Sequence, residues 1–95
     1  MAYIRITQPP GVTADTYEKV NAELQGTGDL PAPGLLLHCA GEVDGQWQIV
    51  DVWESEPQAR QFYEGPLTKA IEGVVGMTPP DAPSTAYELH TVVIP

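Results

Sequence analysis

The sequence predicts a single α+β domain, residues 1–95, with the element order β-α-β-β-α-β. Its centre is a hairpin: Asp44-Gly45 lies between two runs of strand-forming residues, the strongest short-range signal for a two-residue turn. The second run ends at Trp53 and passes directly into Ser55-Glu56-Pro57-Gln58, which is typical of a helix start. A strand and a helix are predicted before this hairpin, and a last strand is predicted after the second helix.

The first strand and helix are indicated by alternation and by a capping residue. Residues 3–7 alternate and are rich in β-branched side chains, which predicts a strand. Thr13 is a typical N-cap, and Asp15 places a negative charge in the first turn, so a helix is predicted over residues 13–25. The hairpin strands are predicted over residues 35–43 and 46–54.

The second helix has a start signal and an internal breaker. Ser55 and Gln58 have the spacing of a capping box, so this helix is predicted to begin at Ser55. Gly65-Pro66 should break or kink it, because proline lacks the N–H that a helix interior requires. An apolar face continues beyond the kink.

The end of the chain completes the predicted topology. Residues 77–84 contain three prolines and are predicted as a loop, and residues 86–94 as the last strand. The order is that of a ferredoxin-like split βαββαβ fold, and right-handed crossovers give an antiparallel sheet with strand order 4-1-3-2. Both helices then cover one face of the sheet. The other face needs a cover, and a second copy of the chain is the simplest one.

Composition excludes two classes of partner. With 13 acidic and 4 basic side chains, the formal charge is -9, which argues against binding to nucleic acid or to an anionic membrane. Cys39 is the single cysteine, so no intrachain disulfide can form and a cytoplasmic location is expected. No apolar run approaches the length of a membrane span.

The hairpin also predicts which residues share a face of the sheet. Counting back from the turn, His38 pairs with Asp51 and Leu36 pairs with Trp53. Alternation then separates an apolar set from a set that mixes apolar and ionisable residues. The mixed set, predicted on the open face, is Tyr3, Arg5, His38, Asp51, Trp53 and His90, with Trp47 nearer the rim. The apolar set, predicted beneath the helices, is Ile4, Ile6, Leu35, Leu37, Cys39, Val50 and Val52.

The mixed set contains the residues with candidate chemistry. A carboxylate such as Asp51 orients an imidazole and raises its basicity, so His38 could act as a general base; the alternative is a pair that satisfies two polar groups in a dimer interface. Arg5 could hold an anionic or enolate oxygen, or neutralise Asp51 or Glu88. Trp53 could line a ligand pocket or belong to the core.

No metal site is predicted. His38 and Cys39 are adjacent in a strand and point to opposite faces. His38 and His90 are predicted on opposite edge strands, and three strand spacings separate them by roughly 14 Å. The sequence also contains no glycine-rich phosphate loop and no Gly-x-Ser-x-Gly elbow.

The chain resembles the antibiotic biosynthesis monooxygenase-like family of the dimeric α/β-barrel superfamily. Three features carry the resemblance: the split-βαβ order, the Asp44-Gly45 hairpin, and the run Val52-Trp53-Glu54-Ser55 followed by Phe62. The resemblance implies a homodimer whose sheets face each other, with an apolar pocket between each sheet and its helices or within the barrel. Members include cofactor-independent oxygenases of polycyclic aromatic substrates, polyketide cyclases and haem-degrading enzymes. The haem-degrading members use a histidine on the second helix, and residues 55–76 contain none. No cofactor is therefore expected.

The function expected from residues and resemblance together is binding of an aromatic or polyketide-like molecule by a homodimer. If the protein is an enzyme, cofactor-independent monooxygenation is the expected reaction: His38, oriented by Asp51, deprotonates a phenol or enol, and Arg5 stabilises the oxyanion. The substrate pocket is expected to contain Tyr3, Trp53 and His90. Two alternatives stay open, a cyclase or isomerase that uses the same base without oxygen and a non-catalytic binding or interaction module.

Overall fold

A computed structural model describes residues 1–77 and 82–95. Within them the elements are β1 (Tyr3–Thr7), α1 (Ala14–Gly26), β2 (Leu35–Val43), β3 (Gln46–Trp53), α2 (Glu56–Phe62), a π-helical turn (Tyr63–Leu67), α3 (Thr68–Val75) and β4 (Ser84–Glu88). The predicted element order and the ferredoxin-like α+β fold are confirmed. No helix of the described residues is long and apolar enough to cross a lipid bilayer.

The first helix begins where its capping residue predicts. Thr13 has extended backbone angles, and its side-chain oxygen accepts a hydrogen bond from the Thr16 amide at 3.3 Å. The buried residues Val20 and Leu24 are four positions apart and therefore share the face of α1 that packs on the sheet.

The predicted kink at Gly65-Pro66 is confirmed as a π-helical turn between α2 and α3. Pro66 has no N–H, so the regular helical hydrogen-bond pattern cannot run through it. The Thr68 hydroxyl donates to the Tyr63 carbonyl at 2.7 Å, which satisfies a carbonyl at the irregularity. The turn matters for function because it positions Tyr63 over the sheet.

The sheet has the order β2-β3-β1-β4, which is the predicted 4-1-3-2 read from the other edge. Asp44 and Gly45 both have positive φ, 51° and 78°, as a two-residue hairpin turn requires. The predicted pairing of His38 with Asp51 is confirmed.

The predicted pairing of Leu36 with Trp53 is wrong. Leu35 pairs with Trp53 and Leu37 with Val52, because a bulge lies between Leu35 and Leu37. In a regular strand Leu35 and Leu37 would lie on the same side of the sheet. The extra residue at the bulge puts Leu35 on the opposite side from Leu37.

The assignment of the two faces is also wrong. Trp53 is fully buried, and it belongs to a core in which the helices pack against the sheet. The buried members of that core are Val20, Leu24, Ala32, Trp53, Ala59, Phe62 and Ala70. The mixed polar set therefore lies beneath the helices, and the apolar set forms the open face. Leu35 is the exception, because the bulge places it against the core.

The last strand is shorter and earlier than predicted, covering Ser84–Glu88 instead of residues 86–94. Glu88 pairs with Tyr3, the first residue of β1, so the chain beyond it has no further strand residue to pair with. One more backbone contact follows, from the Leu89 amide to the Ala2 carbonyl at 2.7 Å. His90 lies past the strand and is exposed. Part of the predicted loop at 77–84 lies outside the described residues.

Candidate functional site

A row of register partners crosses the sheet beneath the helices. His38 on β2 pairs with Asp51 on β3, Asp51 pairs with Arg5 on β1, and Arg5 pairs with Ala86 on β4. Directly opposed residues of an antiparallel sheet point to the same side. The three ionisable residues therefore share one face and form one layer of the domain.

His38 and Asp51 form a close pair at the centre of this row. The His38 Nδ1 atom lies 2.5 Å from Asp51 Oδ1. Asp51 is 7% exposed, and the His38 side chain is 24% exposed. A nearly buried carboxylate requires hydrogen-bond donors, and the imidazole supplies one of them.

Tyr63 supplies a second donor from the π-helical turn. Its hydroxyl donates to Asp51 Oδ2 at 2.8 Å and accepts from Trp53 Nε1 at 2.9 Å. Burial raises the pKa of Tyr63, and the neighbouring charge of Asp51 raises it further. Tyr63 is therefore a neutral, fixed donor at physiological pH.

Tyr17 of α1 contacts His38 on the side away from Asp51. Its hydroxyl is hydrogen-bonded to His38 Nε2, and the two rings are nearly parallel, with centroids 5.8 Å apart. Burial raises the pKa of Tyr17, and the Asp51 charge contributes in the same direction. Both ring nitrogens of His38 thus have a partner within the protomer.

Trp47 packs beside Tyr17, with ring centroids 5.2 Å apart. Its indole Nε1 is buried, and no residue of the described chain accepts a hydrogen bond from it. It is the one buried side-chain nitrogen or oxygen of the described residues in this condition, which marks this position as polar and unsatisfied.

A cleft of about 260 Å³ opens at the other end of the row, between α2, β1 and β4. Its lining residues are Tyr3, Arg5, Glu56, Ala59, Arg60, Tyr63, Glu64, Ser84 and Ala86. Arg5 Cζ lies 4.1 Å from the centroid of the Tyr63 ring, a cation–π contact. Arg60 is paired with Glu56 one helical turn away.

The charge of this cleft differs from that of the chain. Two of the four basic residues, Arg5 and Arg60, line it together with Glu56 and Glu64, so its formal charges cancel, whereas the chain carries -9. The expectation that Arg5 neutralises Asp51 or Glu88 is not supported, because Arg5 forms no salt bridge with a carboxylate of the described residues.

The structure brings together some of the predicted site residues and separates others. His38 and Asp51 are in contact, and Tyr3 and Arg5 line one cleft. Trp53 is in the core and donates a hydrogen bond to Tyr63 of the site, and His90 is exposed and lies past the last strand.

Sequence reasoning missed the two helix-borne tyrosines. The sequence pattern places Tyr17 on an apolar helix stripe with Val20 and Leu24, and Tyr63 on one with Ala59 and Phe62, which is the pattern of core residues. The sequence did contain a signal for them. Each predicted helix has a tyrosine on its apolar stripe, and a buried pair such as His38 and Asp51 needs hydrogen-bond partners of this kind.

No group of three or more His, Cys, Asp or Glu side chains that could hold a metal ion occurs among residues 1–77 and 82–95.

Comparison with solved structures shows which proteins share this architecture. A candidate antibiotic biosynthesis monooxygenase from Chloroflexus aurantiacus matches with a TM-score of 0.69 and 15% identity, over 98% of this chain and 97% of that chain. A dimeric ferredoxin-like protein of unknown function from Thermobifida fusca matches with a TM-score of 0.62 and 19% identity, over 94% and 92%. SnoaB, a cofactor-independent oxygenase from Streptomyces nogalater, matches in a variant form with a TM-score of 0.58 and 14% identity, over 97% and 94%.

This chain has their fold. The resemblance drawn from the sequence is thereby confirmed as a likeness of structure to proteins named antibiotic biosynthesis monooxygenases. No protein-family model matches the chain, and no curated protein sequence matches it.

Proposed function

We propose that this protein is a homodimeric α/β-barrel protein that binds a small aromatic anion and oxygenates it without a cofactor. The open face of the sheet supports the dimer. Leu37, Val43 and Tyr87 lie on this face and are 53%, 45% and 50% exposed in the protomer. Exposed apolar residues on one sheet face are typical of a surface that another subunit covers.

The cleft at Arg5 supports an aromatic anion as the ligand. Tyr3 and Tyr63 provide aromatic walls, and Arg5 provides a charge that no described carboxylate neutralises. Pockets for drug-sized ligands are typically about 300–1,000 Å³, so a cleft of about 260 Å³ favours a ligand of one or two rings. A phenolate or an enolate would place its oxygen on the Arg5 guanidinium.

The His38–Asp51 pair supports the reaction. A base oriented by a carboxylate removes a proton from a phenol or enol, and the resulting electron-rich anion reacts with dioxygen. For a phenol, the hydroxyl hydrogen and one ring hydrogen leave with one oxygen atom as water, and the ring carbon keeps the other oxygen atom as the second carbonyl of a quinone. The reaction is balanced without flavin, haem or metal.

The observation that carries the proposal is the shared row: the base and the cation lie in one layer of one sheet face, two strands apart. The test is oxygen consumption with a panel of one- and two-ring phenols. His38→Ala should abolish turnover while the dimer persists in native mass spectrometry. Unchanged turnover in that variant would remove His38 from the mechanism.

The ligand role of Arg5 has a separate test within the same cleft. Replacing Arg5 with Met should weaken phenolate binding roughly 10- to 100-fold, because a charge-assisted hydrogen bond contributes about 1.5–3 kcal/mol. Arg60→Met is the matched variant, and it should weaken binding less because Glu56 already neutralises Arg60. Equal losses would show that only the net charge of the cleft matters.

One observation favours a second function, a non-catalytic binding module. Every polar atom of the His38 ring and both Asp51 oxygens already have protein partners. A module of this kind would bind the phenol panel without consuming oxygen. A cyclase or isomerase would also leave oxygen untouched but would change the substrate, so the oxygen electrode and product analysis together separate the three.

A further inference from the structure

Tyr17, His38 and Asp51 form a hydrogen-bonded triad built from three different elements, α1, β2 and β3. The carboxylate contacts Nδ1 of the imidazole, and the tyrosine hydroxyl contacts Nε2. The connectivity is that of a hydroxyl, a histidine and an aspartate in triads that activate a hydroxyl group.

The direction of each hydrogen bond follows from the chemistry of the groups. An ionised carboxylate can only accept, so His38 carries its proton on Nδ1 and donates it to Asp51. In the neutral imidazole Nε2 then holds a lone pair, and Tyr17 is the donor to it. The second oxygen of Asp51 accepts from Tyr63, which fixes the carboxylate from the opposite side.

This arrangement leaves the Tyr17 oxygen as the outer end of the triad. The Tyr17 hydroxyl is already hydrogen-bonded to His38 Nε2. A substrate could therefore contact this nitrogen directly only by displacing Tyr17. Asn21 of the same helix hydrogen-bonds the Tyr17 oxygen, and a hydroxyl oxygen that donates its own proton still keeps a second lone pair that can accept another. Tyr17 is partly exposed, so its side chain is not sealed in the core.

Trp47 provides an independent observation at the same place. Its ring packs against Tyr17, and its buried Nε1–H has no acceptor among the described residues. A buried donor without a partner costs about 1–3 kcal/mol. An oxygen atom bound next to this N–H would satisfy it.

The geometry points to Tyr17 as the group that takes the substrate proton, with Trp47 Nε1 donating to the substrate oxygen that becomes negative. This position lies at the His38 end of the row, so the ketone binds apart from the anion cleft at Arg5. The substrate class is a phenol or an enolisable aromatic ketone, and this choice of aromatic class rests on the proposed function. The substrate proton moves to the Tyr17 oxygen while the Tyr17 proton moves to His38 Nε2. The electron pair of the broken bond stays on the substrate as an enolate or phenolate. The imidazolium that forms faces the Asp51 carboxylate, and no oxidant takes part.

Proton removal can be measured apart from oxygenation. The probe is 2-tetralone, a two-ring aromatic ketone, incubated anaerobically with the protein in D2O. Proton NMR follows exchange at the carbon next to the carbonyl. The wild-type protein should accelerate this exchange above the buffer rate, and Tyr17→Phe should lose most of the acceleration, on the order of 100-fold, as general acid–base groups typically contribute.

Two variants accompany Tyr17→Phe. Trp47→Phe keeps a ring against Tyr17 but removes the N–H, and it should lower the exchange rate roughly tenfold if that donor stabilises the developing oxyanion. Tyr87→Phe is the matched control, because it removes a tyrosine hydroxyl from the opposite face of the sheet. It should leave the exchange rate unchanged.

The outcomes separate this inference from the proposed function. Exchange that depends on Tyr17 without any oxygen consumption would support the triad and end the oxygenase proposal. Exchange that survives in Tyr17→Phe but disappears in His38→Ala would make His38 the direct base and overturn the inference. A wild-type protein that binds 2-tetralone without accelerating exchange would overturn it as well.

Discussion

The two faces of the sheet have opposite compositions, although they are built from the same four strands. His38 and Cys39 are neighbours on β2, yet one joins a chain of buried hydrogen bonds beneath the helices and the other is exposed on the apolar face. On the helix face, buried ionisable residues are stabilised because the helices contribute hydroxyl groups that hydrogen-bond to them. On the open face, the apolar residues Leu37 and Tyr87 remain exposed in the protomer.

The difference shows that an apolar strand face does not reveal what buries it. Helices of the same chain and the sheet of a second copy both remove apolar side chains from water, with a similar gain in free energy. Polar residues can be accommodated on either side if their hydrogen bonds are satisfied. In this chain Tyr17 and Tyr63 satisfy them on the helix side.

The largest expected effect is on the open face. Leu37→Glu adds a charge to a position that is exposed in the protomer, so folding should be kept while the proposed dimer dissociates. Burying an unpaired charge costs about 3 kcal/mol or more, which corresponds to a dissociation constant raised at least roughly 100-fold. Native mass spectrometry over a dilution series measures this.

The matched control for that experiment is Val75→Glu. Val75 is also an exposed apolar residue, 44% exposed at the end of α3, but it lies on a helix. This variant should stay dimeric. If Val75→Glu dissociated the dimer and Leu37→Glu did not, the helices would form the interface.

A slightly smaller effect is expected at the centre of the helix face. Asp51→Ala leaves the Tyr63 hydroxyl and the His38 Nδ1–H without their acceptor, so the free energy of unfolding should fall by about 3 kcal/mol. Urea unfolding measures this change. Asp15→Ala removes an exposed ion pair with Lys19 and should cost at most about 1 kcal/mol. Comparable losses in the two variants would mean that the buried row contributes little to stability.

Tyr63→Phe should have an intermediate effect on stability. It keeps the ring beside Arg5 and Trp53 but removes a hydroxyl that donates to Asp51 and accepts from Trp53. A loss of about 1–2 kcal/mol is expected because two buried groups lose a partner. A loss near zero, measured in the same urea titration, would show that water replaces the hydroxyl.

The smallest effect is expected at His90. The sequence predicts it in the substrate pocket, whereas the structure places it past β4 and exposed. His90→Ala should leave phenol binding within about twofold of the wild type, since exposed side chains away from a site contribute little. A large loss of affinity in isothermal titration would restore the assignment made from the sequence.

Local signals predicted the elements well. The Asp44-Gly45 turn, the Thr13 cap and the break at Pro66 each depend on a few neighbouring residues, and each is confirmed. Features set by distant parts of the chain were not predicted. The end of β4 is set by the first residue of β1, and the bulge near Leu36 by the fit of β2 on β3.

The candidate site was predicted only in part for the same reason. The pairing of His38 with Asp51 follows from the hairpin register and needs no tertiary information. Which face the helices cover depends on the docking of α1 and α2, which no single strand encodes. The partnership of Tyr17 and Tyr63 with this pair therefore became visible only in the folded chain.

The most direct test of this division between the two faces uses the single thiol of the chain. Cys39 is exposed on the open face of the protomer, so a covering second copy should shield it from a thiol reagent. Cys39 of the wild-type protein should be labelled at least about tenfold more slowly than Cys39 of Leu37→Glu under native conditions. Equally fast labelling of both proteins would show that the open face is not an interface, and would contradict the proposed dimer.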